Sequence, residues 1–233
     1  MLLAPDIGMT ISVALNIVLI LRLREMQSPG DDTAATNPTV DAPRPSKKVP
    51  KEAPADQPGS LPLAKGAAGP KPPTLNQEET AQLAAGELVL KTIAVEAGNE
   101  GLAVQRVNAP AETVWATILD FAEWPRMVDD VVASHVYETN GHDIKVKITI
   151  GVGGGFLKIC THVHHMYDPT ASTLTWSLDP TKPSDLQSNT GYWIVRPGEG
   201  DQSNHCTVYY SCNVQLRKWA PGWLDRYVAK EGL

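Results

Sequence analysis

No aromatic side chain occurs before Trp115: all six Trp, six Tyr and two Phe of the 233 residues lie at or after that position. A stretch without large side chains cannot build a core of ordinary depth, so the chain is not one uniform domain. Cysteine is scarce too. Cys160, Cys206 and Cys212 are an odd number with no CxxC spacing, which excludes a disulfide framework and fits a reducing compartment. Basic charge is in deficit, with Lys plus Arg at 20 against Asp plus Glu at 26 and a net charge of -6. That argues against a nucleic-acid partner, because displacing counterions from phosphate needs a basic face. No Asn-x-Ser/Thr acceptor site occurs, in keeping with a domain outside the secretory lumen.

What the N-terminus has is apolar. Ile7 to Leu21 reads IGMTISVALNIVLIL without a charge, and Arg22 and Arg24 follow at once. Counted from Leu2 to Leu23 the run is long enough for the roughly 20 residues of a spanning helix, with Arg22 snorkelling to the interface and Asp6 at the other end. No basic region precedes it, as a cleaved signal peptide requires, and it lacks the arginines of a transit peptide. Residues 1–24 are thus expected to be a single-pass anchor. The positive-inside rule then puts the rest of the chain in the cytosol, with the organelle unknown.

Residues 25–76 hold most of the proline: 11 of the 19 prolines fall between Pro29 and Pro73. Apolar residues are few and unperiodic there, which predicts a disordered Pro/Ala-rich linker of extended character. Its basic cluster Arg44, Lys47, Lys48, Lys51 is interleaved with acids, a weak signal for anionic lipid.

A folded domain is expected over residues 80–233, long enough for one core. Glu79 to Ala85 suggests a short helix. Glu87–Glu96 and Leu102–Asn108 read as strands around a Gly98-Asn99 turn. Ala111 to Asp120 places Val114, Trp115, Ile118 and Leu119 on one helical face, with Pro110 suited to its start. Strands follow at Val131–Tyr137, Ile144–Ile150, Phe156–Tyr167, Thr173–Leu178, Gly191–Arg196 and Thr207–Leu216. Turn residues lie between them at Asn140-Gly141, Gly151 to Gly155, Asp168-Pro169 and Pro197-Gly198. A closing helix is expected from Pro221 to Lys230. That order is α+β, with one curved antiparallel sheet wrapped on a helix.

The motifs carry a resemblance. Asn108–Glu138 (NAPAETVWATILDFAEWPRMVDDVVASHVYE) has a strand ending in Ala-Pro, a helix with Val-Trp, an Asp-Phe at its end and then Trp-Pro. HMYDP (His165–Pro169), LTWSLDP (Leu174–Pro180), SDL (Ser184–Leu186) with GYWIVRP (Gly191–Pro197), and Val208–Trp223 follow in order. Residues 84–233 resemble the START-like helix-grip superfamily, in its polyketide cyclase/dehydrase and coenzyme Q-binding branch. The resemblance implies a helix-grip fold, with the sheet wrapped around the C-terminal helix and an internal cavity for a sterol, lipid, quinone or polyketide. One feature departs from it. The superfamily's closing helix is long, whereas about three turns follow Pro221 here, which leaves the closure of a cavity in doubt.

The residues expected to bind the ligand are Trp115, His165, Trp176, Tyr192 and Trp193, with no catalytic residue and no metal or other cofactor expected. Cys160, His162 and His164 alternate and so share one strand face. Without CxxC or HExxH they read as polar positions on the outer face rather than as a zinc site. His165 falls on the opposite face, as a polar anchor or an acid/base group. Asp179 and Asp185 flank PTKPS (Pro180–Ser184), a candidate lid at the cavity rim. GVGGG (Gly151–Gly155) lacks the GK[ST] context of a phosphate loop and reads as a turn or kink. Trp219, Trp223 and Tyr227 suit either the core or a membrane interface. The expected function is a membrane-tethered domain that binds or transfers a hydrophobic small molecule, a lipid or quinone. The alternatives are a cyclase/dehydratase-type enzyme using the same cavity, and an assembly factor in a membrane quinone pathway.

Overall fold

The computed structural model describes residues 69–95, 98–152, 157–198 and 204–217. The expected anchor, most of the linker, Gly153 to Gly155 of the glycine run and the closing helix lie outside these residues. Among the described residues no helix is long and apolar enough to cross a membrane.

The chain opens with α1 (Gln77–Ala84). Its start is fixed by a reciprocal cap: the Asn76 side chain accepts from the Glu79 N–H, and the Glu79 carboxylate accepts from the Asn76 N–H, both at 2.8 Å. Gly86 ends it in the left-handed region at φ 79°, where glycine carries no Cβ penalty. Two strands follow, β1 (Val89–Val95) and β2 (Gly98–Val107). Next come α2 (Ala111–Leu119), which buries Ala111, Val114, Trp115 and Ile118, and the four-residue α3 (Trp124–Met127). The meander β3 (Val131–Asn140), β4 (Asp143–Val152), β5 (Leu157–Asp168), β6 (Thr173–Leu178), β7 (Leu186–Pro197) and β8 (Cys206–Leu216) completes the described fold.

The eight strands form one antiparallel sheet in the order β1-β2-β8-β7-β6-β5-β4-β3. The helices α2 and α3 carry the chain from β2 to the far edge, and the meander returns until β8 pairs with β2. Bulges in β3 and at the start of β7 bend the sheet. Gly141, at φ 61°, opens the two-residue β3–β4 turn. All eight expected strands are present. The largest shifts in their bounds are at β2, which begins four residues earlier than expected, at Gly98, at β7, which begins five residues earlier, at Leu186, and at β3, which runs three residues further, to Asn140. The helix α3 was not expected.

Side chains alternate between two unlike faces. The concave face carries the main core, including Val146, Ile148, Val163, Leu174, Trp193, Val195, Val208 and Tyr210, packed with α2, Phe121 and Trp124. On the convex face a second row is covered: Thr173, Ile194, Val104 and Val89, with the half-buried Tyr209 among them, lie side by side across five strands. Gly69 lies beside Thr173. Leu75 and Leu83 pack onto Val89, Leu102 and Val104. Lys91 ties β1 to this N-terminal strap through Glu79 at 2.9 Å and the Thr74 carbonyl at 3.3 Å. Packing therefore begins within the segment assigned above to the linker.

Candidate functional site

One row of partners crosses the concave face: Ile144, His165, Trp176, Gly191, Cys212 and Gly101, on β4, β5, β6, β7, β8 and β2. His165 is 3% exposed. Phe121 lies 4.6 Å from it between ring centroids, with Trp176 at 6.1 Å and Trp124 at 6.3 Å. Burial, aided by the neighbouring His164, pushes its imidazole down to about 3, against a weak opposing contact with the Ile144 backbone. The ring is neutral at physiological pH. Its Nδ1 is buried and makes no hydrogen bond of ordinary geometry. A neutral imidazole with a free nitrogen in an aromatic nest can pair with one hydroxyl or carbonyl of an otherwise apolar molecule.

Trp176 lies flat against the sheet because its β7 partner is Gly191. A Cβ at Gly191 would overlap both the Trp176 ring and the Ser211 carbonyl. Trp176 donates to Asn189 Oδ1 at 2.9 Å and stacks on Tyr210 with 5.6 Å between centroids and 20° between planes. Trp193 tilts against the same Tyr210 at 4.5 Å. Trp115 packs on Tyr167 at 4.9 Å and donates to the Ser172 hydroxyl at 2.9 Å. Ser172, held at φ 51°, donates in turn to the Val195 carbonyl.

Four of the five expected site residues thus face the concave side: Trp115, His165, Trp176 and Trp193. Tyr192 does not. It pairs with Ser211 on the convex face, half-buried, beside the Ser211–Glu100 hydrogen bond. Burial and the Glu100 charge raise its phenol above the ordinary value. Sequence reasoning missed Phe121, Trp124, Tyr210 and, above all, Gln105, a wholly buried polar residue on the concave side of β2. The alternation of Ala103, Gln105 and Val107 was the available signal.

Most of the polar residues that looked chemical lie on the convex face and are paired there; His164 Nε2, on the same face, is buried without a hydrogen bond. Asp179 is 2% exposed. It accepts from Tyr137 Oη at 2.7 Å and from the Thr181 N–H and hydroxyl at 2.9 and 2.6 Å, with Lys145 Nζ at 3.8 Å. Burial alone would raise its carboxyl, but the bonds from Thr181 and Tyr137 and the Lys145 charge outweigh it and hold it at about 2. The Pro180–Ser184 loop is no free lid. The Asp179 and Asp185 N–H groups donate to the His162 and Cys160 carbonyls, both at 2.9 Å. The Asp185 carboxylate accepts from the Cys160 N–H at 2.8 Å, and His162 Nδ1 meets the Pro183 carbonyl at 2.7 Å. His164 lies 3.5 Å from Asp143. Among the described residues no three His, Cys, Asp or Glu groups gather as metal ligands. Burial and the Glu112 charge push the Cys206 thiol up to about 12, so it is no nucleophile at neutral pH.

The family model for polyketide cyclase/dehydrase and lipid transport matches residues 107–231, more than half of the chain. The chain belongs to this family. A STAR-related lipid transfer protein from Xanthomonas axonopodis is 16% identical, with a TM-score of 0.51 over 62% of this chain and 86% of that one, and supports the START-like fold. A protein from Thermus thermophilus is 19% identical over 57% of this chain and 84% of its own, with a TM-score of 0.48. The Zhui aromatase/cyclase from a Streptomyces species is 14% identical over 53% and 70%, with a TM-score of 0.44. No curated protein matches. The family match begins at Val107, so α1, β1 and almost all of β2 precede it.

Proposed function

We propose that this START-like domain binds a hydrophobic ligand — a lipid, a quinone or a polyketide-like molecule — against the concave face of the sheet. One observation carries the reading: His165, buried and neutral, keeps an unpaired Nδ1 among Phe121, Trp124 and Trp176. An apolar body with one oriented polar contact is the recognition pattern of small-molecule sites. The apolar run from Leu2 to Leu23 supports a second element, a membrane anchor with the folded domain on the cytosolic side. A linker of about 50 residues spans roughly 40 Å as a flexible chain, so the domain reaches the bilayer to which it is tied and exchanges its ligand there.

The cyclase/dehydratase alternative needs a group that exchanges protons near neutral pH beside an enolisable carbon. Burial disfavours the protonated form of His165, which works against it as a proton carrier, and Asp179 lies on the other face of the sheet. The binding reading is therefore preferred. Its test is native mass spectrometry with solvent extraction on the full chain in detergent. The expected result is about one hydrophobic molecule per chain. A chain that arrives empty, and takes up neither palmitate nor a ubiquinone from vesicles, overturns the reading.

A further inference from the structure

The concave face holds a second unpaired polar group. Gln105 is 0% exposed, and neither Nε2 nor Oε1 has a hydrogen-bond partner. The β2–β8 register sets it opposite Val208, and Ala103 and Val107 flank it on the same face. A carboxamide brings two donors and an acceptor. Burying them unpaired forfeits their hydration with nothing in return, and a side chain of similar length without polar atoms would avoid that loss. An orphaned buried amide therefore calls for a partner from outside the chain, a water or a ligand group.

Building on the hydrophobic-ligand reading, we infer that Gln105 is a second polar anchor, and that the ligand carries two separated oxygen functions on one apolar body. One pairs with His165. The other both donates to and accepts from Gln105, as a hydroxyl or carboxylic acid does. The spacing is set by the sheet. The His165 row ends at Gly101 on β2. Gln105 stands four residues further along, about 13 Å at 3.3 Å per residue, and four strands away around the curve. A lipid with a single polar head reaches one anchor and leaves the other unpaired. A two-headed molecule satisfies both, and such a site rejects an analogue that lacks one of the paired groups.

The test compares hexadecanoic acid with 16-hydroxyhexadecanoic acid, each competed against a fluorescent fatty acid on the full chain in detergent. The wild type is expected to prefer the hydroxy acid about fivefold, the worth of one hydrogen bond. Gln105→Met loses that preference and melts no lower than the wild type when empty. Equal affinities in the wild type, or a preference that survives Gln105→Met, overturn this inference and leave the binding reading standing. A loss of Tm shared by Gln105→Met and Gln105→Leu also overturns it, since the amide would then be paired within the fold. If neither acid binds the wild type, the binding reading falls and this inference with it.

Discussion

The two faces of one sheet treat most of their polar groups differently. On the convex face Asp179 has Tyr137, Thr181 and Lys145, His162 has the Pro183 carbonyl, and Ser211 has Glu100 and the Gly101 carbonyl. On the concave face His165 Nδ1 and both polar atoms of Gln105 are buried without a partner. The residues with the most chemical appearance are structural, and those that look like misplaced core residues are the candidates for function. Satisfaction separates these groups better than residue type does, although His164 Nε2 on the convex face is also unpaired; an unpaired buried polar group costs free energy that a ligand can recover.

The largest expected effect comes from Gly191, where the aromatic wall meets the backbone. Gly191→Ala drives a methyl group into Trp176 and the Ser211 carbonyl. The expected cost is about 3 kcal/mol or more, read from urea denaturation. A loss under about 1 kcal/mol would mean that the wall is loose.

Next comes His165. Its folded pKa of about 3 lies below the ordinary 6.5. As the pH falls below 6.5 the unfolded chain takes up a proton that the folded ring refuses, and stability drops until about pH 3. His165→Phe keeps the aromatic shape and removes this slope. Its stability relative to the wild type should rise by about 1.4 kcal/mol per pH unit between 6.5 and 3, measured by urea midpoints at pH 7 and 5. A constant difference would show that the imidazole is not buried.

Asp179 breaks the comparison from the other side. Its folded pKa of about 2 is below the ordinary 3.8, so its contribution is complete above pH 4 and lost as the pH falls from 4 to 2. Asp179→Asn should cost about 2 kcal/mol at pH 7 and flatten the acid limb of the stability curve, with ligand binding unchanged. A variant that folds normally but no longer binds would move the site to the convex face.

The smallest effect concerns the strap. Asn76→Ala removes one half of the helix cap and should cost about 1 kcal/mol. Limited proteolysis would show faster cleavage before α1, with the rest of the domain intact. Unchanged cleavage would show that the strap is held by Leu75, Leu83 and Lys91 without the cap.

Much of this fold was legible. Alternating apolar runs bounded by Gly and Pro mark all eight strands, and the Val114–Trp115–Ile118 face marks α2. The four residues of α3 carry too little periodicity to stand out. The start of β7, QSNTG, is polar and reads as a loop; it is a strand because the long β8 offers it partners from Leu216 to Cys212. At the site, strand alternation set His165 apart from His162 and His164. The same rule forbids Tyr192 and Trp193 from sharing a face, and choosing both followed residue type over geometry. Gln105 was hidden because both faces of β2 are buried, and only the structure shows that its amide lacks a partner.

The most direct measurement is photo-crosslinking of the full chain, in vesicles, with a diazirine-bearing fatty acid, followed by peptide mapping. The account predicts labels on the concave face, at Phe121, Trp124, Trp176 or Trp193, suppressed by excess unlabelled ligand. Competable labels confined to convex-face residues such as Tyr137, Tyr192 or Tyr209 would contradict it.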